Sequence, residues 1–466
     1  MGGTTPRRFG LALIIASVVV AGAVWLSSGT MAPYASTLQM PRIEKPCNYL
    51  LNTDHVHFEA CFLMLDGAPR EQWEFGIYLR RILYPLLAYP LMKAWGFLIG
   101  GVVTSAIIQV AALVAFVVYV RRRVGLAGGY AAMALLATYP GTYYWAGLPY
   151  CHAMIVPASL AGMMILCELE RDDLHLRRAA WLSLGMGVLF LAYDLLPIFG
   201  PAVMLVLALR KRLAAAAVAL PMLLLPTILD NATLHWLYGL PIRNKNTQTY
   251  FDLVQAYLSP PSWSHWGHLL ARVPRDLVRN YFFSNFYLLP ALFALLWIVN
   301  RFTTRLRLTL AEKALLGVTL LLFAFINLAP PTPGWQFRGS GIARIYQPAF
   351  AAMLVFAARM AQAAPRGWMI GTVGAAAALN AAVVFGPVLR LTLADRVYYD
   401  FYRHADGPKL SQHLDTFGRR PLGFCDESIT IENPPPKRKR PKRPARKPAT
   451  TVMTQSIGNR SLEIGE

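Results

Sequence analysis

Charge is what this sequence has least of. Only 15% of its 466 residues are Asp, Glu, Lys or Arg, against about 25% in an ordinary soluble domain. Acids are scarcer still, at 24 against 45 basic residues. With 56% hydrophobic residues and a mean hydropathy of +0.40, the chain lacks the polar surface to wrap itself in water. A soluble globular domain is therefore excluded. Five scattered cysteines exclude a disulfide-rich scaffold, and the apolar content excludes disorder and collagen. There is no phosphate-cradling Walker loop, no nucleophile elbow and no dinucleotide fingerprint. No unit of about 20–50 residues repeats, which excludes solenoids and propellers.

What is present is a series of apolar runs separated by basic clusters, the pattern of a polytopic membrane protein. The first run, 11–28, follows Arg7 and Arg8 and lacks a clear small-x-small cleavage site before Met31. It reads as a retained helix with its N-terminus in the cytoplasm. Further spans are expected over 97–120, 126–144, 150–166, 213–229, 281–299, 315–328, 348–364 and 369–389. The stretch 179–209 has arginines at both ends, Arg177/Arg178 and Arg210/Arg212. One helix would put one cluster outside, so two short helices folded at Pro197 and Gly200 are expected instead. The fold class is all-α and polytopic, with about eleven helices. One transmembrane domain covers 1–390, followed by a polar tail over 391–466. The large extracytoplasmic segments are 29–96, 230–280 and 330–347.

The net charge of +21 is read by location. Eight of the cations, with six prolines and no acid, fall in one run, 434–448 (PPPKRKRPKRPARKP), which cannot pack a core. An odd helix count would leave that run outside, whereas its charge favours the cytoplasm, where it would meet anionic membrane lipid. The remaining clusters mark cytoplasmic loops, so nucleic acid is not expected as a partner. The localisation implied is a multi-pass cell membrane protein, in a bacterium the inner membrane.

The polar chemistry sits in the first loop. Asp54 follows the first helix; Phe58, Glu59 and Asp66-Gly67 come next, then Tyr78, Arg80 and Arg81, then an apolar run broken by Pro85 and Pro90. That run suits an interfacial or re-entrant helix. A carboxylate near the membrane surface can take a proton from an attacking hydroxyl or hold a divalent ion. Guanidinium groups at the same level match phosphate oxygens, or they anchor a helix to lipid headgroups.

This order resembles the GT-C superfamily: a hydrophobic helix, Asp-x-x-x-aromatic at Asp54–Phe58, a helical stretch, then Tyr-x-Arg-Arg-x-Leu-Tyr-Pro-Leu-Leu-Ala from Tyr78. Those proteins are polytopic glycosyltransferases that use polyprenyl-phosphate-linked sugars. A second local match, Gly341-Ile-Ala-Arg-Ile-Tyr-Gln-Pro, resembles the family's late Gly-x-x-Arg-x-x-x-Pro segment. The resemblance implies a hexosyl- or pentosyltransferase that moves a sugar from a lipid-linked donor to a cell-envelope glycan or lipid acceptor. It carries the role of catalytic base, or part of a divalent metal site, onto Asp54. Phe58 stands where Tyr is commoner, and no adjacent acidic pair is present, so a second acid would be Glu59, Asp66 or a distant residue. A transporter or flippase for lipid-linked glycans, and a non-catalytic membrane subunit with a basic recruiting tail, are the alternatives.

Other candidates are weighed on their residues. His55, His57 and Glu59 would share one face of a strand, but the surrounding pattern is helical, where they diverge, so no metal site is expected there. Cys47 and Cys61 flank Asp54, and a disulfide between them would pin its loop. Cys151 and Cys167 read as small apolar residues of a helix. Asp194 lies by the Pro197 bend, either lining the cavity of Asp54 or as a solvated hairpin tip. Arg338 and Arg344 flank Gly339 and Gly341 just before a helix, an arrangement that suits a lipid phosphate.

Overall fold

The computed structural model describes residues 4–30, 60–70, 73, 79, 81–95, 97–139, 142, 146, 151–193, 196–240, 288–327 and 347–385. Among them regular structure is entirely helical. Four helical stretches are long and apolar enough to cross a membrane: Arg7–Trp25, Ile99–Arg123, Cys151–Leu169 and Leu213–Tyr238. The expectations for 241–287, 328–346 and the tail from 391 lie outside the described residues.

Helix α1 covers Thr4–Thr30, α2 Leu83–Trp95, α3 Phe97–Arg123 and α4 Leu126–Ala137. A 3₁₀ turn, Cys151–Met154, leads into α5, Ile155–Leu169. Next come α6, Leu176–Phe190, and α7, Phe199–Leu209, joined through a 3₁₀ turn at Leu196–Ile198. Then follow α8, Leu213–Tyr238; α9, Leu288–Phe302; α10, Leu310–Asn327; α11, Gln347–Ala363; and α12, Arg366–Phe385. One continuous apolar core runs from Phe9 of α1 to Ala376 of α12. Helix α11 is its axis, buried from Gln347 through Ala358. Large apolar side chains such as Ile14, Val18, Leu224, Ile228 and Leu321 remain exposed on the outside, as in a bundle that faces lipid.

The predicted split of 179–209 is present. Helix α6 leaves from Arg178, the chain turns, and α7 returns to Arg210. Both arginines meet the same acidic loop: Arg178 pairs with Glu168, and Arg210 Nη1 donates to Asp172 at 2.9 Å. A three-residue link with Lys211 in the left-handed region (φ 56°) then reverses the chain and brings Arg212 within 3.1 Å of the Leu169 carbonyl. Glu168 also accepts from Tyr119 Oη at 3.0 Å and pairs with Arg123 of α3. Glu170 accepts the Leu310 and Ala311 N–H groups at 2.9 and 3.1 Å, which satisfies orphan donors at the start of α10. Glu312 pairs with Arg359 of α11 at 2.6 Å. One short acidic loop thus ties α3, α6, α7, α8 and α10 together at the arginine-rich end.

Several lengths differ from the expectation, and α4 ends at Ala137 rather than near 144. Helix α10 begins at Leu310 rather than near 315, because Thr309 and Glu312 form a reciprocal cap: each backbone N–H reaches the other's side chain, at 2.7 and 3.2 Å. Helix α8 continues past 229 to Tyr238, so Asp230 and Trp236 stand on a helix and not in a loop. Its last turn is covered by the first loop. Leu63, Met64, Trp73, Leu79 and Ile82 form a second small core with Leu234 and Leu240.

Helix contacts are close where glycine allows them. A Cβ on Gly100 would collide with the backbone of Leu91 and Met92, so this glycine lets α2 fold back tightly on α3 across a single residue. Gly187 does the same for α6 against the Leu223 carbonyl of α8. These are the small-residue contacts by which membrane helices approach without a hydrophobic drive.

Candidate functional site

The end of the bundle opposite the acidic loop is set apart by a buried arginine. Helix α5 separates Cys151 from Glu168 by 17 residues, or roughly 25 Å at 1.5 Å per residue. Arg81 is only 6% exposed and lies two residues before the start of α2. Its place is fixed from several sides. The Leu83 N–H donates to the Leu191 carbonyl at 3.3 Å, which joins the start of α2 to the end of α6. Tyr84 Oη donates to the Gly101 carbonyl and meets Ser105 Oγ, both at 2.9 Å, locking α2 onto α3. Gln109 of α3 donates to the Ala153 carbonyl at 2.6 Å, holding the 3₁₀ turn beneath.

These ties gather Tyr193, Cys151 and Cys61 around Arg81, with His152 beside Tyr193. Its guanidinium carbon lies 4.6 Å from the centre of the Tyr193 ring, and Nη1 donates to Cys151 Sγ at 3.7 Å. The His152 ring is 5.3 Å from Tyr193, tilted by 57°. Cys61, in the short helical stretch that includes Ala60, is wholly buried nearby. Burial pushes its thiol well above the usual range, Cys151 adds to that, and the Arg81 charge partly offsets it. Cys47, the partner expected for Cys61, lies outside the described residues.

Of the residues singled out by sequence, Arg81 is therefore inside the molecule rather than among lipid headgroups. Asp66 is elsewhere. It sits at a turn on the surface, accepts from Tyr89 Oη at 2.8 Å and pairs with Lys93 of α2. The Lys93 ammonium holds its carboxyl below the usual carboxylate range. Asp54, Glu59, Tyr78, Arg80, Asp194, Arg338 and Arg344 lie outside the described residues. Tyr193 and Gln347 are their nearest described neighbours in sequence on the later segments. Gln347 is wholly buried and accepts from Tyr139 Oη at 2.7 Å, beside the stacked Tyr139 and Phe350 rings.

No family model, no characterised protein and no solved structure matches the chain. The site must be read from its own geometry.

Sequence reasoning missed Tyr193, Cys151 and His152. Cys151 reads as a small apolar residue, yet its sulfur touches the guanidinium. The usable signal was His152, a titratable group inside an otherwise apolar run, since such groups within membrane helices mark sites by default. Among the described residues no cluster of three metal-ligating side chains is present. Chemically, the arrangement is a guanidinium whose carbon sits over an aromatic ring and whose edge already gives one N–H to a thiol. Guanidinium groups fit phosphate or carboxylate oxygens.

Proposed function

We propose that the chain is a multi-pass membrane glycosyltransferase of GT-C type, with about eleven spanning helices and its arginine-rich end in the cytoplasm. It moves a sugar from a polyprenyl-phosphate donor to a cell-envelope glycan or lipid acceptor on the extracytoplasmic side. The observation that supports this best is Arg81, a guanidinium buried at the end opposite the basic clusters. Charge is costly at that depth and is retained there for function. The positive-inside rule puts that end outside.

In this reading the donor enters between helices from the outer leaflet. Asp54 takes the proton of the acceptor hydroxyl, whose oxygen attacks the anomeric carbon. The bond from that carbon to the phosphate oxygen breaks, and polyprenyl phosphate leaves with its charge met by Arg81, assisted by Arg80 and Arg344. A single displacement inverts the sugar carbon.

The rival reading, a transporter for lipid-linked glycans, requires the cytoplasmic end to open. At that end Glu168 and Glu170 together hold helices α3, α6, α7 and α10. Prising them apart would strand buried or half-buried charges, so the observed ties favour an enzyme that opens outward. The test is Asp54→Asn in purified, reconstituted protein. A loss of about 10²–10⁴-fold in sugar transfer is expected, the usual weight of a general base, with insertion unchanged. Full activity in that variant would sink the assignment.

A further inference from the structure

The described acidic side chains at the arginine-rich end are all spoken for. Glu168 is held by Arg123 and Arg178, Glu170 and Asp172 by Arg210, Asp173 by Arg171, and Glu312 by Arg359. The link from α9 into α10 carries four further cations, Arg301, Arg305, Arg307 and Lys313, all exposed. Among the described residues no carboxylate pairs with any of them. The nearest acid in sequence, Glu312, is wholly buried against Arg359. The link therefore turns its negative charge inward and its positive charge outward.

The link is also held in shape. Asn300 is buried; its Oδ1 accepts the Leu306 N–H at 2.8 Å and Thr304 Oγ1 at 2.7 Å, and its Nδ2 donates to the Leu306 carbonyl at 3.0 Å. Arg359 of α11 donates to the Arg307 carbonyl at 2.9 Å. Inside this loop Arg305 adopts the left-handed conformation (φ 51°), which suits glycine and is costly for arginine. Phe302, next to Arg301, is 80% exposed, and Leu295 and Ile298 are exposed on the same face of α9. An apolar helix face that ends in cations has the order of chain and headgroup in a phospholipid. A nucleic acid or an acidic protein would match the cations and leave that apolar face unexplained.

We propose that the link between α9 and α10 binds an anionic phospholipid: Arg301 and Arg305, with Arg307, meet the phosphate charge, and the acyl chains lie along the exposed face of α9. The proposal is independent of the transfer reaction above.

The experiment is native mass spectrometry of the full chain in detergent, titrated with dioleoyl phosphatidylglycerol or dioleoyl phosphatidylcholine. The unaltered protein is expected to bind the anionic lipid about 5-fold to 30-fold more tightly, at about 5-fold for each cation engaged. Arg305→Gly keeps the backbone conformation and removes the charge, so it should weaken phosphatidylglycerol about 5-fold and leave phosphatidylcholine unchanged. Arg301→Gln, within the last turn of α9, should do the same. Arg177→Gln removes an equal charge from an exposed arginine of α6, and should change either lipid by less than about twofold. Equal affinity of the two lipids for the unaltered protein would overturn the site. So would a loss with Arg177→Gln as large as with Arg305→Gly and Arg301→Gln, since that is diffuse surface charge. Displacement of the bound lipid by millimolar glycerophosphoglycerol, the headgroup without its chains, would overturn the part given to α9.

Discussion

At the scale of single residues, two acidic side chains from one loop are predicted to behave differently. Asp66 is committed to Lys93 and Tyr89 at the surface, whereas Asp54 carries the proposed proton transfer. Asp66→Asn should leave sugar transfer within about threefold of the original, against the 10²–10⁴-fold loss expected at a general base. The ion pair also has a pH signature. Its folded-state pKa is depressed below 3.8, chiefly by the hydrogen bond from Lys93. The stabilisation is therefore fully present above that value and is lost as the pH falls through the lower folded value. Lys93→Met removes the partner, so the midpoint should fall at pH 6 but little at pH 2.5, and the acid limb should become shallower. Thermal unfolding in detergent between pH 2.5 and 6 measures this; an unchanged slope would mean the pair contributes nothing.

Among the elements, the informative case is the reversal between α6 and α7. Arginines at both ends of an apolar stretch predicted two short helices, and the structure has them, with Tyr193 at the turn. The reason is electrostatic, but it is more specific than a membrane rule. Arg178 and Arg210 share one acidic loop, so both helix ends return to the same place. The same loop starts α10 by accepting two of its first N–H groups on Glu170. Glu170→Ala should cost about 1–2 kcal/mol, as for loss of an N-terminal cap, and lower the unfolding midpoint. Asp173→Ala, which breaks an exposed pair with Arg171, should leave the midpoint unchanged. A Glu170 variant as stable as the original would show that α10 finds its cap elsewhere. The early start of α10 at Thr309–Glu312 was legible as a capping box. The extension of α8 to Tyr238 was not, because what stabilises its last turn is distant chain: Leu63, Met64 and Trp73 packing on Leu234.

On the scale of the whole molecule, the two ends of the bundle differ in kind. One end is stitched by ion pairs among several helices; the other buries a guanidinium with an aromatic ring, a thiol and an imidazole beside it. The proposed entry of a lipid donor from the outer leaflet requires only one end to part, in keeping with this asymmetry. The basic run 434–448 takes no part in the proposed transfer. Deleting it should leave transfer by the reconstituted protein within about twofold, because electrostatic attraction of about 1 kcal/mol per cation concerns membrane or partner attachment and not the reaction. Loss of transfer on deletion would instead favour the recruiting-subunit reading.

Scarcity of charge and the spacing of arginines were enough, by themselves, to predict a helical membrane protein and the doubling back of 179–209. These follow from local composition, since lipid and the positive-inside bias act on each segment separately. Which of the candidates lies inside was decided only by tertiary packing. Arg81 and Asp66 stand 15 positions apart in one loop, yet one is buried against α5 and α6 while the other is at the surface. No periodicity encodes that difference. It depends on the Leu83–Leu191 hydrogen bond, the Tyr84 lock on α3 and the ring of Tyr193, contacts between residues about 20 to 110 positions apart whose meeting is settled only when the helices pack.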